Sequence, residues 1–164
     1  MDSEVRAAVY RALDALGIRY DRYEHPPVFT AEEAAVHWSG IPGRAVKNLF
    51  LRNKKGDRHY LVIVGIEKQV DLRRLVQVIG DDRLSFGSAD RLMARLGLTP
   101  GSVSPFGLIN DAAGAVRVIL DDDLRAAERL IFHPNDNSAS VSISVADFER
   151  FLASRSNIVR WVRL

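Results

Sequence analysis

The chain has 164 residues, 47% of them apolar and 27% charged, enough for one soluble domain with a sizeable core. It contains no cysteine, which excludes disulfides, thiolate metal sites and a cysteine nucleophile, and suits a reducing cytoplasm. A net charge of +2 with a pI near 9.1 is too small for a non-specific nucleic-acid binder. Arginine nevertheless outnumbers lysine so heavily that a local basic face stays open as a reading.

The acidic start Met1-Asp2-Ser3-Glu4 is unlike a signal peptide. No apolar run approaches the ~20 residues that span a bilayer. Ser3 can cap a first helix carrying Val5, Ala8, Val9, Leu13 and Leu16 on one face, with Gly17 as its stop. Residues 18–24 read as a short strand, ended by His25-Pro26-Pro27, because consecutive prolines cannot continue a ladder. Thr30-Ala31-Glu32-Glu33 is a capping box that starts a second helix running to about Ser39. After the turn at Gly40-Ile41-Pro42-Gly43, residues 45–52 alternate as a strand. Val46, Asn48 and Phe50 point one way and Lys47, Leu49 and Leu51 the other. Residues 53–57 form a hairpin loop, and 58–65 return as a strand with a continuous apolar run. Asp71 and Ser88 cap two further helices, on either side of a short strand at 84–86.

Residues 116–120 read as a strand and 121–127 as a helical turn. Leu130-Ile131-Phe132 leads into the polar turn His133-Pro134-Asn135-Asp136-Asn137. A strand follows at 138–143, then a helix capped by Ser144, then a closing strand at 159–164. The mixture predicts an α/β fold of α+β-like character, a single domain over 1–164 with a central mixed, largely antiparallel β-sheet flanked by helices.

Between these elements, Gly101-Ser102-Val103-Ser104-Pro105-Phe106-Gly107-Leu108-Ile109-Asn110-Asp111 is too rich in glycine, serine and proline for a regular element and too apolar for a linker. A loop pinned by its own hydrophobic side chains can present fixed backbone N–H groups to an oxyanion or carbonyl. A tight structural turn is the other reading. Lys47, on the face of Leu49 and Leu51, either snorkels to solvent at a sheet edge or enters a polar pocket. The turn at His133 is either a site wall or an ordinary turn whose asparagine and aspartate bond their own backbone. No dinucleotide fingerprint, phosphate loop or serine elbow occurs. The four histidines lack ligand spacing, which argues against a metal site.

Taken together, Pro26-Pro27 before Thr30-Ala31-Glu32-Glu33, Lys47-Asn48-Leu49-Phe50-Leu51, the Gly101–Gly107 loop and His133-Pro134-Asn135-Asp136-Asn137-Ser138 resemble the YbaK-like aminoacyl-tRNA editing domains. These are relatives of the insertion domain of bacterial prolyl-tRNA synthetase. Within them, the chain looks most like the free-standing alanyl-tRNA(Pro) deacylases of the ProXp-ala or PrdX group. Ser138 stands where threonine is common, a change that keeps the hydroxyl.

The resemblance implies a YbaK-like fold and a cytoplasmic hydrolase that removes a wrong amino acid from tRNA in trans, without cofactor or metal. It implies that Lys47 holds the phosphate or ribose of the terminal adenosine. It also implies that Gly101, Ser102, Val103, Ser104 and Pro105 cradle the aminoacyl ester, and that His133 stands at the pocket. Asn48, Ala31, Ala34, Phe106 and Asn135 are the expected substrate contacts, with Ala35 a further guess. Arg83, followed by Arg73 and Arg74, is expected to read the acceptor stem. The implied partners are the acceptor end of mischarged tRNA(Pro) and, transiently, prolyl-tRNA synthetase or an elongation factor, with neither membrane nor DNA. An activated ester needs only oriented water and oxyanion stabilisation, which would explain why no triad is found. The same chemistry on cysteinyl-tRNA(Pro), or a tRNA- or synthetase-binding module without turnover, are the rival expectations.

Overall fold

The computed structural model describes residues 3–164, so Met1 and Asp2 lie outside it. One eight-stranded sheet carries the fold, in the order β1-β7-β6-β2-β3-β5-β8 with β4 attached to β2. Its strands are β1 (Tyr20–Glu24), β2 (Arg44–Arg52), β3 (His59–Gly65), β4 (Ser85–Phe86), β5 (Val116–Asp121), β6 (Arg129–Phe132), β7 (Ala139–Ser144) and β8 (Val159–Val162). Four strand pairings are antiparallel and three parallel, so the sheet is mixed as predicted.

Each helix starts where a side-chain oxygen is available to take an orphan amide. Ser3 accepts from Arg6 at the start of α1 (Glu4–Ala15), and Thr30 accepts from Glu33 at α2 (Ala31–Trp38). Asp71, Ser88 and Ser144 do the same for α3 (Leu72–Ile79), α4 (Ala89–Leu96) and α5 (Val145–Ala153). All five caps were readable in the sequence.

The sheet is covered on both faces. Val9, Leu13, Leu92, Leu96, Phe148 and Phe151 of α1, α4 and α5 pack on one face against Val46, Phe50, Leu61 and Phe132. On the other face α3 packs Leu75 against Leu51, Tyr60, Val62 and Val64. Beside it α2 brings Ala34 and Trp38 to Val28, Ile41 and Ile131. The alternation read along 45–52 holds: Val46 and Phe50 enter the first core, while Leu49 and Leu51 enter the second.

Two expectations change. Residues 130–132, read only as a lead into the polar turn, belong to β6, which pairs parallel to β2 and antiparallel to β7. Residues 100–110, read as irregular, are two 3-10 turns, Pro100–Ser102 and Pro105–Asn110.

The sheet order leaves a gap. One edge of β2 is paired with β3 throughout 46–52. On the opposite edge β6 pairs only with Arg44 and Ala45, and β4 only with Leu51 and Arg52. Among the described residues, 46–49 therefore have no strand neighbour there. Since the Phe50 carbonyl faces that edge to accept from Gly87 N–H at 2.9 Å, the two-residue period turns the backbone polar groups of Asn48 the same way.

Candidate functional site

A cleft of about 210 Å³ opens at this gap. Its walls come from separate stretches of chain: Val28, Phe29 and Thr30; Ala34 and Trp38 of α2; Val46, Lys47 and Asn48 of β2; Ile66; Pro100, Gly101 and Val103; and Phe132 with His133. The cleft is apolar with a few polar groups converging on it, the usual composition of a small-ligand site.

Lys47 is half-buried, and no hydrogen bond or carboxylate partner holds it among the described residues. A lysine so placed has its charge uncompensated by the described residues. Beside it the Asn48 side-chain oxygen is buried with no hydrogen-bond partner, and a buried acceptor left open costs free energy until a donor reaches it.

His133 donates Nδ1–H to the Ala139 carbonyl at 2.9 Å; a carbonyl can only accept, so the neutral ring keeps Nε2 as its acceptor. Burial pushes the His133 pKa below the ordinary histidine range, only partly offset by that carbonyl. Its ring lies 5.3 Å from Trp38 and 6.1 Å from His25, and His25 stacks on His37 at 5.0 Å. Behind this wall the Trp38 indole N–H donates to the Ser140 hydroxyl at 2.7 Å, and Ser140 also meets His25 Nε2 at 2.8 Å. Three of the four histidines, His25, His37 and His133, are thus scattered in sequence but not in space, while His59 stacks on Phe50. Among the described residues, no group of three or more His, Cys, Asp or Glu could hold a metal ion.

The loop at 101–111 divides in two. Gly101 and Val103 line the cleft. Gly101 N–H lies in the first turn of a 3-10 helix, where helical geometry supplies no partner, and Val103 closes no capping bond. Ser102 is buried, its N–H spent on the Thr99 carbonyl at 3.0 Å. Ser104 is fully buried, and its hydroxyl accepts from Phe106 N–H at 3.1 Å. Pro105 opens the second turn. Phe106 does not touch the cleft as expected. It is a core residue, its ring 5.6 Å from Phe132 and 5.2 Å from Phe151. Asp111 ties off the loop by accepting from Ala115 N–H, Val116 N–H and the Asn157 amide at 2.8–3.1 Å.

The remaining expected residues separate. Ala34 lines the cleft, whereas Ala35 is exposed outside it and the Ala31 side chain lies outside the described set. Asn135 sits buried behind His133 at φ +63°, its side-chain oxygen unpaired but not on the cleft wall. Arg73 and Arg83 line a different, open groove with Leu72, Val76, Gln77 and Leu84, and Arg74 is exposed beside it. Leu49, two residues along β2 from Lys47 and on its face, packs on the same buried cluster as Leu72 and Val76. The groove therefore lies on the side of the sheet to which Lys47 points. Sequence reasoning missed Val28, Phe29, Trp38, Ile66 and Phe132 as walls, since only tertiary packing brings them together.

Residues 25–151 match the family model described as an aminoacyl-tRNA editing domain. The chain belongs to this family. It is 42% identical over all 164 residues, and over the full length of the relative, to the Prolyl-tRNA editing protein ProX of Acetoanaerobium sticklandii. It is 35% identical to the Prolyl-tRNA synthetase associated domain-containing protein 1 of Bos taurus, covering 92% of this chain and 90% of that one. A solved structure of a candidate trans-editing enzyme for prolyl tRNA synthetase superposes with a TM-score of 0.76 at 23% identity, covering 100% of this chain and 99% of the other. No helix among the described residues is long and apolar enough to cross a membrane.

Proposed function

We propose that the cleft hydrolyses the ester of a mischarged aminoacyl-tRNA in trans, with alanyl-tRNA(Pro) as substrate. The observation that carries this reading is that one small cleft is lined both by a lysine and by the loop residues Gly101 and Val103, none of them with a partner for its ammonium or backbone N–H among the described residues. Water adds to the ester carbonyl carbon, the negative charge on the former carbonyl oxygen is met by the loop N–H groups, and the bond from that carbon to the ribose oxygen breaks. The products are the free amino acid and tRNA with its terminal hydroxyl restored.

Each polar group then has a task. Lys47 holds the phosphate or ribose of the terminal nucleotide as a point charge. Asn48 offers its open oxygen to a substrate N–H or O–H. His133, neutral, offers Nε2 as an acceptor at the cleft wall, and the substrate's own ribose hydroxyl helps to orient the water. No covalent nucleophile and no cofactor is required. One relative named for prolyl-tRNA editing and another named as a prolyl-tRNA synthetase associated domain support tRNA(Pro) as the carrier. The groove with Arg73 and Arg83 gives the acceptor stem a basic track.

Specificity follows from size. Val28, Ala34, Trp38, Ile66 and Phe132 wall the cleft; in this reading they admit a methyl side chain and reject the proline ring by steric clash, which added attraction cannot do. The deciding experiment is deacylation of alanyl-, cysteinyl- and prolyl-tRNA(Pro) by the purified protein. Alanyl-tRNA(Pro) should be hydrolysed and prolyl-tRNA(Pro) spared. Alanyl-tRNA(Pro) left at the blank rate would sink the substrate assignment. Tight binding with no turnover of any charged tRNA would make the protein a binding module.

A further inference from the structure

Phe29 is 75% exposed, the most exposed large apolar side chain among the described residues, and it stands on the lip of the cleft. Leaving such a ring in water forfeits the free energy of burying it, yet its backbone is fastened on both sides. The preceding Val28 is buried and stitched to Asn137 twice: Val28 N–H donates to the Asn137 carbonyl at 3.2 Å, and the Asn137 amide donates to the Val28 carbonyl at 2.8 Å. Phe29 N–H itself donates to the Glu33 carboxylate at 2.9 Å, and Glu33 N–H donates back to the Thr30 hydroxyl at 3.1 Å. Prolines at 26 and 27 stiffen the approach. The capping box therefore does more than start α2: it fixes an aromatic ring in solvent.

The size of the cleft says what meets that ring. At about 210 Å³ it falls below the ~300 Å³ at which pockets engulf a drug-sized ligand. An aminoacyl group and its ester can enter, while the base of the nucleotide that carries the ester stays at the mouth. With Lys47 inside, the base emerges within the rim that Phe29 shares. Every nucleobase has a π-face, and unstacked bases at single-stranded RNA ends are taken up on aromatic side chains.

We propose that Phe29 is a stacking platform for the terminal nucleobase of the aminoacylated RNA, and so a substrate-binding residue outside the chemical step. This rests on reading the cleft as an aminoacyl-ester site. Stacking is sequence-tolerant, so the platform would position the end of any tRNA and leave identity to the stem.

Steady-state kinetics on alanyl-tRNA(Pro) test it. Phe29→Ala should raise KM roughly tenfold with kcat unchanged, the effect of losing one stacked base. Phe29→Trp and Phe29→Tyr should restore wild-type KM, while Phe29→Leu, apolar without a π-face, should behave like alanine. An unchanged KM in Phe29→Ala, or full rescue by leucine, overturns the proposal. A second measurement needs no turnover: a non-hydrolysable amide-linked alanyl minihelix with 2-aminopurine as its terminal base. Binding should quench its fluorescence in the wild-type protein and in Phe29→Trp but not in Phe29→Leu. Equal quenching in wild type and Phe29→Leu would dismiss the platform. Quenching as expected from a protein that hydrolyses no charged tRNA would dismiss the proposed activity and keep the platform.

Discussion

The cleft and the scaffold around it use the same residue types in opposite ways. Lys68, in the loop after β3, is fully engaged: its ammonium pairs with the buried Asp121, reaches Asp123 at 3.3 Å and donates to the Leu164 carbonyl at 3.0 Å. Those partners, Asp121 first, hold its pKa above the ordinary lysine range. Lys47 has no such partner among the described residues. One lysine is part of the protein's own electrostatics; the other, in the proposed function, takes a ligand's anion. Glycines and histidines divide in the same way.

The lysine pair gives the largest expected effects. Lys47→Ala should lower kcat/KM for alanyl-tRNA(Pro) by roughly 10²–10³-fold, the scale of removing one preorganised charge-stabilising group, with an unchanged melting temperature because nothing inside the protein loses a partner. Lys68→Ala should do the reverse. Stripping the partner from a buried carboxylate costs about 3 kcal/mol, read in a denaturant midpoint, while alanyl-tRNA(Pro) turnover in the folded fraction stays close to wild type. If Lys47→Ala unfolds the protein as readily as Lys68→Ala, the contrast is lost and Lys47 is structural.

The glycine pair comes next. A Cβ on Gly107 would lie 2.7 Å from Leu98 Cδ1 and 3.2 Å from the Leu96 carbonyl oxygen, so Gly107→Ala should cost about 1–3 kcal/mol. At Gly101 the nearest heavy atom to an added Cβ is Asn137 Nδ2 at 3.8 Å, and its φ is not in the left-handed region. Backbone geometry does not demand glycine there. Gly101→Val should fold normally by circular dichroism and lose deacylation because its side chain occupies the cleft. Retained activity would move the ester away from this wall.

What the sequence could and could not reveal follows the same division. Caps, the β2–β3 hairpin and the two-faced pattern of β2 are local, so Thr30, Asp71 and the Val46–Phe50 alternation announced themselves. β6 escaped because Leu130-Ile131-Phe132 is a short apolar run buried on both faces, with no period to read. The gap along β2 is invisible in any window of sequence, because it arises from where β6 and β4 pair with that strand. Lys47, the Gly101 loop and the His133 turn stood out from their residue types, each with a structural reading beside the functional one, and the family resemblance then suggested their roles. Trp38 and Ile66 have no motif, and they look like core residues until the fold turns them to one cavity. Phe106 misled for the opposite reason: it sits within the motif, yet its ring serves the core.

The histidine pair predicts the smallest effects, and both depend on pH. His59 is buried in β3, its Nε2 accepting from the Arg91 guanidinium at 3.1 Å. Burial first, then Arg95, Arg91 and Arg52, push its pKa down to about 4 from 6.5. The unfolded chain therefore binds a proton at His59 that the folded chain refuses between those values. Its contribution to stability is complete above pH 6.5 and is lost as pH falls toward 4. Thermal melts of wild type should drop across that window, and His59→Gln should flatten this part of the slope. His133 is lowered too, by burial, but it lines the cleft, and no arginine is among the causes of its shift. Its signature should also appear in catalysis: kcat/KM should fall on acidification with an apparent pKa below the ordinary ~6.5 of histidine, and His133→Gln should remove that limb while His59→Gln leaves it in place. An acid limb that survives His133→Gln, or that shifts with His59→Gln instead, would mean that the two histidines do not divide as the lysines do.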